Sequence, residues 1–361
     1  MSLAFKPDII ETLERYKMWW NREDFGRCAI SIRAWKGGGS EKPELPARVG
    51  DRWLDFDYLK AAAEYRLSNT EHIAEALPIW DGGYPGHDGM CAFLGCDIEF
   101  GPETAWVSPI IEEGELNEHD PNGLMYDFTN KWWLHSLKYH AFENECAAGK
   151  SIPAVAAMGA TGDTLAALRT SNKLLYDVLD QPEAVKLFEA RLMTLFIELY
   201  ERYFQTHLPL SFGGSVNWMG LWAPGRFYIP QNDFSYMISP AMFKDLFLEP
   251  LIRQIEYLDY SIFHVDGIGV FNHVDMLCSI DKLNALQILP GAGKPSPLYY
   301  MNILKKVQSR GKNLHISIPP EEVVPALDNL SSKGLYIDTY CKTPEEGHRL
   351  LKLTEAHSRF Y

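Results

Sequence analysis

One short segment places two groups that are competent for catalysis side by side at the end of a predicted strand. The segment His264-Val265-Asp266-Gly267 continues the apolar run Ser261-Ile262-Phe263, which is typical of a buried β-strand. Side chains two positions apart in a strand point to the same side of the sheet. His264 and Asp266 therefore leave the sheet together, where an imidazole and a carboxylate can exchange protons with a substrate or bind a metal ion.

Cys341 ends the last predicted strand and offers a third donor. Imidazole nitrogen, carboxylate oxygen and thiolate sulfur are all zinc ligands, and three protein ligands with an open fourth position are typical of catalytic zinc sites. The sequence therefore predicts zinc bound by His264, Asp266 and Cys341. The same residues leave a structural alternative open, in which His264 is a core histidine bonded to Asp266 and Cys341 is a buried apolar thiol.

The elements that would position these groups are clearest in the last hundred residues, where short apolar runs alternate with amphipathic segments. This pattern predicts strands at 261–264, 283–289, 314–318 and 335–338, and helices at 270–279, 297–310, from Pro319-Pro320 onward, and 343–356. Successive β/α units require a parallel sheet with helical crossovers. Earlier apolar runs raise the predicted number of strands to eight; they lie at 28–32, 76–80, 152–157 and 208–212.

Eight parallel strands close a barrel, so we expect one α/β domain over residues 1–361, a (β/α)8 TIM barrel with an amino-terminal helical extension. Residues 81–130 are rich in Gly, Pro and acidic residues. They are predicted to form a loop excursion over the barrel mouth. An open, doubly wound sheet is the competing fold, because both architectures produce the same alternation of strands and helices.

The net charge and the cysteine pattern indicate which binding partners and which cellular compartment to expect. The net charge of -14 would repel phosphate backbones and anionic lipid, so we expect neither nucleic acid nor a membrane as a partner. Six scattered cysteines without a C-x-x-C pair, and no evident cleavable signal, predict a cytoplasmic protein. A small-molecule substrate is expected, and a homodimer is left open.

In barrel enzymes the reacting groups lie at the carboxyl ends of the strands. Polar residues that end the apolar runs are therefore candidate substrate-binding groups; they are Asp81, Asp163, Asn217, Gln287, Ser317 and Asp338. Trp218 and Trp222 follow the fourth predicted strand and are expected on the rim of an aromatic mouth. Alternatively, these two tryptophans pack the loop in which they lie.

Several stretches together resemble the uroporphyrinogen decarboxylase superfamily, which includes decarboxylases and cobalamin-dependent methyltransferases that share one barrel. The resemblance starts at residue 157 and rests on five segments; they are Ala157-Met158-Gly159-Ala160-Thr161-Gly162-Asp163, Leu179-Asp180-Gln181-Pro182-Glu183-Ala184-Val185, the run 233–243 with Ile238-Ser239-Pro240, His264-Val265-Asp266-Gly267, and Thr339-Tyr340-Cys341-Lys342-Thr343-Pro344-Glu345-Glu346.

Departures from the superfamily pattern separate its branches. The decarboxylases have an arginine-rich amino-terminal stretch that grips porphyrin carboxylates, whereas the first 50 residues here hold isolated arginines only, so a bidentate clamp is not expected. The methyltransferase branch carries a His-x-Cys zinc motif with a distant second Cys. The sequence is similar at His264 and Cys341 but has Asp266 in place of the first Cys, which should make bound zinc a stronger Lewis acid and less suited to activating a thiolate.

The resemblance implies a zinc-dependent methyltransferase that exchanges a methyl group between a corrinoid carried by a partner protein and a small acceptor such as a thiol or folate. Asp233, the aspartate that precedes the Ile-Ser-Pro stretch, is expected to handle a proton or orient the substrate. One alternative is a metal-free decarboxylase or lyase that acts on a carboxylated substrate, with His264 and Asp266 as its acid and base. A second is a non-catalytic barrel that only binds a corrinoid.

Overall fold

The computed structural model describes residues 2–80, 89–159 and 161–361 and has an α/β fold. Thirteen strands lie within the described residues; they are β1 (Ala29–Trp35), β2 (Thr70–Ala74), β3 (Ile79–Trp80), β4 (Ile98–Phe100), β5 (Ala105–Val107), β6 (Ile152–Pro153), β7 (Gly214–Val216), β8 (Trp222–Pro224), β9 (Phe227–Tyr228), β10 (Tyr260–Asp266), β11 (Ala285–Leu289), β12 (Asn313–Ser317) and β13 (Leu335–Cys341).

Helices connect most of these strands. In the described parts of the chain they are α1 (Ile9–Trp20), α2 (Asp51–Leu54), α3 (Phe56–Ser68), α4 (Gly89–Phe93), α5 (Lys131–Ala147), α6 (Asp163–Arg169), α7 (Ser171–Asp180), α8 (Pro182–His207), α9 (Pro240–Leu246), α10 (Leu248–Tyr257), α11 (Val274–Cys278), α12 (Met301–Ser309), α13 (Val323–Asn329) and α14 (Pro344–His357). None of them is long and apolar enough to cross a lipid bilayer.

The largest sheet has seven strands in the order β2-β1-β13-β12-β11-β10-β9. All neighbouring pairs in it are parallel except β1 and β2, which run antiparallel. From β10 to α14 the chain alternates strand and helix four times. This half of the structure confirms the predicted parallel α/β architecture, and the expected amino-terminal helix is α1.

The other strands are shorter than predicted. Residues 208–212 were expected to form a strand but lie in a turn after α8, and the strand begins only at Gly214. The Ser211 hydroxyl stabilises this turn by donating to the Gly214 carbonyl at 2.6 Å. The pairs β3 with β6, β4 with β5, and β7 with β8 are separate two-stranded sheets, so hydrogen bonding among the described residues gives an open row of strands.

The described part of the predicted excursion, residues 89–130, is not a continuous loop. It contains α4 and the antiparallel hairpin β4–β5, and it docks on α6 because the N–H groups of Ile110 and Ile111 both donate to the Leu168 carbonyl. The remainder of the excursion, residues 81–88 with Asp81, lies outside the described residues.

The sheet separates two apolar clusters, and this separation positions the polar residues. Phe263 and Val265 of β10 belong to the large cluster that includes the helices, whereas Ile262 belongs to a smaller cluster on the opposite, inner face. Because successive side chains of a strand alternate between faces, His264 and Asp266 share the inner face with Ile262. The inner face therefore changes from apolar to polar toward the carboxyl end of the strand.

Helix α1 closes the amino end of the inner face and is fixed by a buried ionic group. Glu75 is fully buried and accepts two bonds from the Arg27 guanidinium, at 2.6 and 2.8 Å. Arg15 of α1 binds the same carboxylate at 2.5 Å, and the Ile30 N–H of β1 donates to it at 2.8 Å. A single carboxylate thus joins α1, β1 and the end of β2, and the two guanidinium charges hold its pKa below the ordinary value against the effect of burial.

Glu75→Gln should lower the free energy of unfolding by about 3 kcal/mol, because it leaves two arginines facing a neutral amide in a buried site. Urea denaturation measures this value. The matched control is Glu14→Gln on the same helix, whose exposed pair with Lys17 should contribute less than about 0.5 kcal/mol. Equal losses in the two variants would contradict the anchoring role of Glu75.

Candidate functional site

Register across the parallel strands brings inner-face polar residues of neighbouring strands to one level. His264 is paired with Gln287, Gln287 with His315, and His315 with Tyr336. This row crosses the sheet from the carboxyl-terminal half of β10, through the middle of β11 and β12, to the amino end of β13. The candidate site is built on the β10 end of the row.

Two further segments bring carboxylates to His264. Asp163 begins α6, and Asp233 begins a short 3-10 helix, Asp233–Met237. Asp233, His264 and Asp266 each present a ligand atom, and these atoms all lie within 4.8 Å of one another. We call Asp163, Asp233, His264 and Asp266 the His264 centre.

The His264 ring is held in one orientation. Its Nδ1 lies 2.5 Å from the Gln287 amide oxygen, and because an amide oxygen only accepts, Nδ1 carries the hydrogen. Nε2 then faces the Asp266 carboxylate, 3.7 Å away. The Trp218 ring packs edge to face against the imidazole, with centroids 5.2 Å apart. Gln287 therefore selects the tautomer that leaves Nε2 available for a proton or a metal.

Asp163 is fixed by neighbours that do not belong to the sheet. One of its carboxylate oxygens accepts the Phe234 N–H at 2.9 Å, and the other accepts the Gln231 amide at 3.1 Å. Gln231 forms a parallel bridge with His264. These bonds tie the start of α6 to the Asp233 segment and to β10, so the carboxylates cannot move apart independently.

The centre holds more acidic groups than can ionise together. Burial raises the pKa of Asp233 to about 7, with Asp163 and Asp266 raising it and His264 opposing them. Burial is the largest of these influences on the pKa of Asp233, and the charge of Asp163 is the next. Burial also raises the pKa of Asp163, against the bonds that it accepts.

For the His264 ring, burial and the neighbouring charges act on the pKa in opposite directions. Burial lowers its pKa, but the nearby Asp266 carboxylate, the hydrogen bond to Gln287 and the charge of Asp233 outweigh that effect, so the pKa lies above the ordinary value. A proton shared among an imidazole and several carboxylates is the arrangement of a general acid and base near neutral pH.

Glu189 of α8 is a member of this environment that the sequence-based reasoning missed. It is fully buried, accepts the Gly162 N–H at 2.9 Å, and its second carboxylate oxygen has no hydrogen-bond partner. Burial raises its pKa to about 8, so it is protonated at neutral pH directly behind the start of α6. The available signal was an acidic residue on the apolar face of a helix, between Val185 and Leu192.

A cavity of about 850 Å³ adjoins the centre. The cavity meets the centre at Trp218, which packs against His264, and at Gln231, which donates to Asp163. From there its lining continues to residues of β1, β2 and α3. Three arginines lie in its wall, Arg33, Arg52 and Arg66. Arg33 is paired there with Asp338, and Arg66 donates to the Ile79 carbonyl at 2.9 Å.

The predicted substrate-binding residues divide into three groups. Asp163, Gln287 and Trp218 lie at the centre, as described above. Asp338 lines the cavity, where its carboxylate accepts from Arg33 at 2.6 Å, and Ser317 is its register partner on β12. Asn217 is fully buried beside Trp218, and neither of its amide atoms has a hydrogen-bond partner.

Trp222 does not lie on the rim. It is buried, donates to the Ser211 carbonyl at 2.8 Å, and packs against Tyr16 of α1 in the inner apolar cluster. The packing alternative applies to Trp222, whereas Trp218 is partly exposed beside His264. The two tryptophans differ because β8 begins at Trp222 and pairs with β7.

Cys341 is not brought together with His264 and Asp266. It lies at the end of β13 but is buried in the outer cluster with Leu335 and Ile337, whereas Asp338 and Tyr340 face the cavity. An odd spacing from Asp338 places it on the opposite face of the strand. Burial raises the pKa of its thiol to about 11, and the third side chain grouped with His264 and Asp266 is Asp233 instead of Cys341.

A scan against models of known protein families and a search of curated proteins both find no match for this chain. The resemblance to the uroporphyrinogen decarboxylase superfamily thus remains a prediction from its motifs.

Asp233→Asn should stabilise the metal-free protein relative to the wild type at pH 8 but not at pH 4. A folded-state pKa raised from 3.8 to about 7 means that ionising Asp233 costs stability as the pH rises through that window. Urea denaturation across this pH range measures the difference. Asp281→Asn at an exposed position is the control and should show no such trend; a parallel trend in both variants would contradict the crowding at Asp233.

Proposed function

We propose that this protein is a metal-dependent enzyme, with His264, Asp266 and Asp233 as its metal ligands. The observation that carries the proposal is the convergence of one imidazole nitrogen and two carboxylate oxygens within 4.8 Å at the edge of a large cavity. Three protein ligands with room for another group are the pattern of a catalytic zinc site. The tautomer fixed by Gln287 supports the same use, because it directs the Nε2 lone pair toward Asp266.

The chemical character of the ligands fits zinc without a thiolate. A zinc ion bound there would act as a Lewis acid that polarises a substrate atom and lowers its pKa. Two carboxylates balance the two positive charges of the ion, which also relieves the repulsion between Asp233 and Asp266. Since oxygen ligands make the site harder than the predicted thiolate set, an acceptor or donor that binds through oxygen or nitrogen fits better than a soft thiol.

The reaction that we propose for this site is methyl exchange between a small molecule and a corrinoid held by a partner protein. The superfamily resemblance favours this reaction, and the roomy cavity beside His264 supports it. Trp218 would pack against the bound small molecule, and Asp163 would hold a proton near it. We also propose that the strands complete a barrel, with the Val155 N–H donating to the Val216 carbonyl at 2.7 Å as one link between the short pairs.

His264→Ala should remove about one zinc per chain and abolish methyl transfer from methylcobalamin, because it deletes a ligand that the two carboxylates cannot replace. Metal analysis after zinc loading and desalting measures the first effect, and absorbance of the corrinoid measures the second. Cys341→Ala is the matched control and should keep its zinc. Loss of zinc from Cys341→Ala alone would show that the third ligand is the thiolate.

A specific observation also favours a second function, a metal-free decarboxylase or lyase that acts on a carboxylated substrate. The arginines Arg33, Arg52 and Arg66 line the same cavity, where Arg33 is already paired with Asp338. Guanidinium groups bind carboxylates with two parallel hydrogen bonds. In this function Asp233 and His264 would act as acid and base without a metal.

Substitution of Arg52 and Arg66 by methionine distinguishes the two functions. If carboxylates bind in the cavity, citrate should raise the melting temperature of the wild type by a few degrees and that of the double variant by much less, since binding stabilises the folded state. Differential scanning fluorimetry measures the shift. Lys305→Met and Lys352→Met together control for loss of two surface charges; a shift that is unchanged in the arginine variant would exclude the cavity as the binding site.

A further inference from the structure

A second group of potential ligands, separate from the His264 centre, lies between α5 and α8. It comprises His140 and Glu143 of α5 and His207, the last residue of α8. All three side chains are buried, with at most 3% exposure. The proposed reaction uses none of them, and we call them the inner triad.

We propose that the inner triad is a zinc site that joins α5 to α8. The three facing atoms form a nearly equilateral triangle: His140 Nδ1 lies 3.1 Å from His207 Nε2 and 3.3 Å from Glu143 Oε2, and the last two atoms are 3.4 Å apart. Ligands about 2.0 to 2.2 Å from a tetrahedral zinc ion are separated by about 3.3 to 3.5 Å. The two distances to Glu143 Oε2 have this spacing, and the third, 3.1 Å between the two ring nitrogens, is only slightly shorter.

In the metal-free protein the Glu143 carboxylate raises the pKa of His207 against the effect of burial, and a protonated His207 Nε2–H would donate to Glu143. With both rings neutral, hydrogen bonding accounts poorly for the same triangle. His207 Nδ1 lies 2.9 Å from the Tyr203 carbonyl and donates to it, so Nε2 has only a lone pair to offer. The His140 Nδ1 hydrogen would then face two acceptors about 60° apart, whereas a hydrogen bond prefers one acceptor nearly in line. A cation bound by the three atoms would satisfy all three lone pairs together.

The groups around the inner triad have the form of an outer coordination shell. The Tyr203 carbonyl fixes the ring of His207 with Nε2 directed inward, and the Ala154 N–H donates to the second oxygen of Glu143 at 3.2 Å. Such bonds orient metal ligands and are a regular feature of zinc sites. Burial lowers the pKa of His140 against the influence of Glu143, which keeps that ring neutral and able to bind.

The position of the site indicates its role. Glu143 contacts the chain directly after β6 through Ala154, and His207 stands at the turn that leads to β7. Zinc there would fix the two helices against the shortest strands of the fold. Because the ligands are closed to solvent, a substrate has no access, and the ion would stabilise the protein instead of taking part in a reaction.

The test uses the full-length His264→Ala variant produced in zinc-supplemented medium, so that the His264 centre does not contribute. This variant should retain about one zinc per chain after desalting, and X-ray absorption at the zinc edge should show two imidazole ligands. The His264 centre offers a single imidazole among its residues, so the ligand count identifies the inner triad. Fewer than about 0.2 zinc per chain, or a spectrum with one imidazole or none, overturns the proposal.

A second variant and a second readout keep the test independent of activity. Adding Glu143→Gln to His264→Ala preserves the shape of the side chain but removes its charge, and should eliminate the remaining zinc. Removal of zinc by a chelator should lower the melting temperature of His264→Ala by about 5 °C and leave that of the double variant unchanged. If the double variant does not fold, the zinc content and spectrum of His264→Ala decide alone. An unchanged melting temperature of His264→Ala after complete zinc removal contradicts the proposal that zinc joins α5 to α8.

Discussion

The repulsion among carboxylates at the carboxyl end of β10 is the constraint on which the candidate site depends. Asp163, Asp233 and Asp266 surround one imidazole, and burial raises the pKa of both Asp163 and Asp233, so bringing negative charge into this recess is costly without a proton or a cation. A shared proton satisfies this constraint in a metal-free enzyme, and a divalent ion satisfies it in a metalloenzyme. Both proposed functions are different solutions to the same electrostatic problem.

The fold maintains the crowding through fixed hydrogen bonds. Gln287 holds His264 from the neighbouring strand, and Gln231 and the Phe234 N–H hold Asp163 in place. The protonated Glu189 lies behind this assembly and adds no charge to it. A preorganised and strained group of acids is costly for stability, and the buried ionic anchor at Glu75 is one of the interactions at the other end of the sheet that offset such a cost.

Strand periodicity predicted the half of the structure that carries His264. Alternation of faces along β10 put His264 and Asp266 together, because two positions in a strand always share a face. The same rule applied to β13 places Cys341 on the face opposite to Asp338, so its position at the end of the last strand and its donor chemistry were not enough to predict a ligand. Asp233 was predicted as a catalytic residue from its motif, while its place beside His264 depends on a 3-10 segment that periodicity cannot locate.

Other parts of the site depend on contacts between segments that are distant in the chain. No local pattern brings Arg33, Arg52 and Arg66 to one cavity wall, and the spacing of His140 and Glu143 on one helix does not show that His207 of another helix completes a triangle with them. The predicted strands at 76–80 and 152–157 contain β3 and β6 but are longer than them, and the one at 208–212 ends before β7 begins, because pairing and not composition alone decides which residues form a strand.

The most direct measurement is a zinc-edge anomalous difference map from crystals of the wild-type chain grown with zinc. The present account predicts a peak bounded by His264 Nε2 and the carboxylates of Asp266 and Asp233, separate from any ion at the inner triad. A map without density at that position, or with its peak beside the Cys341 sulfur, would contradict the assignment of these three residues as the metal ligands.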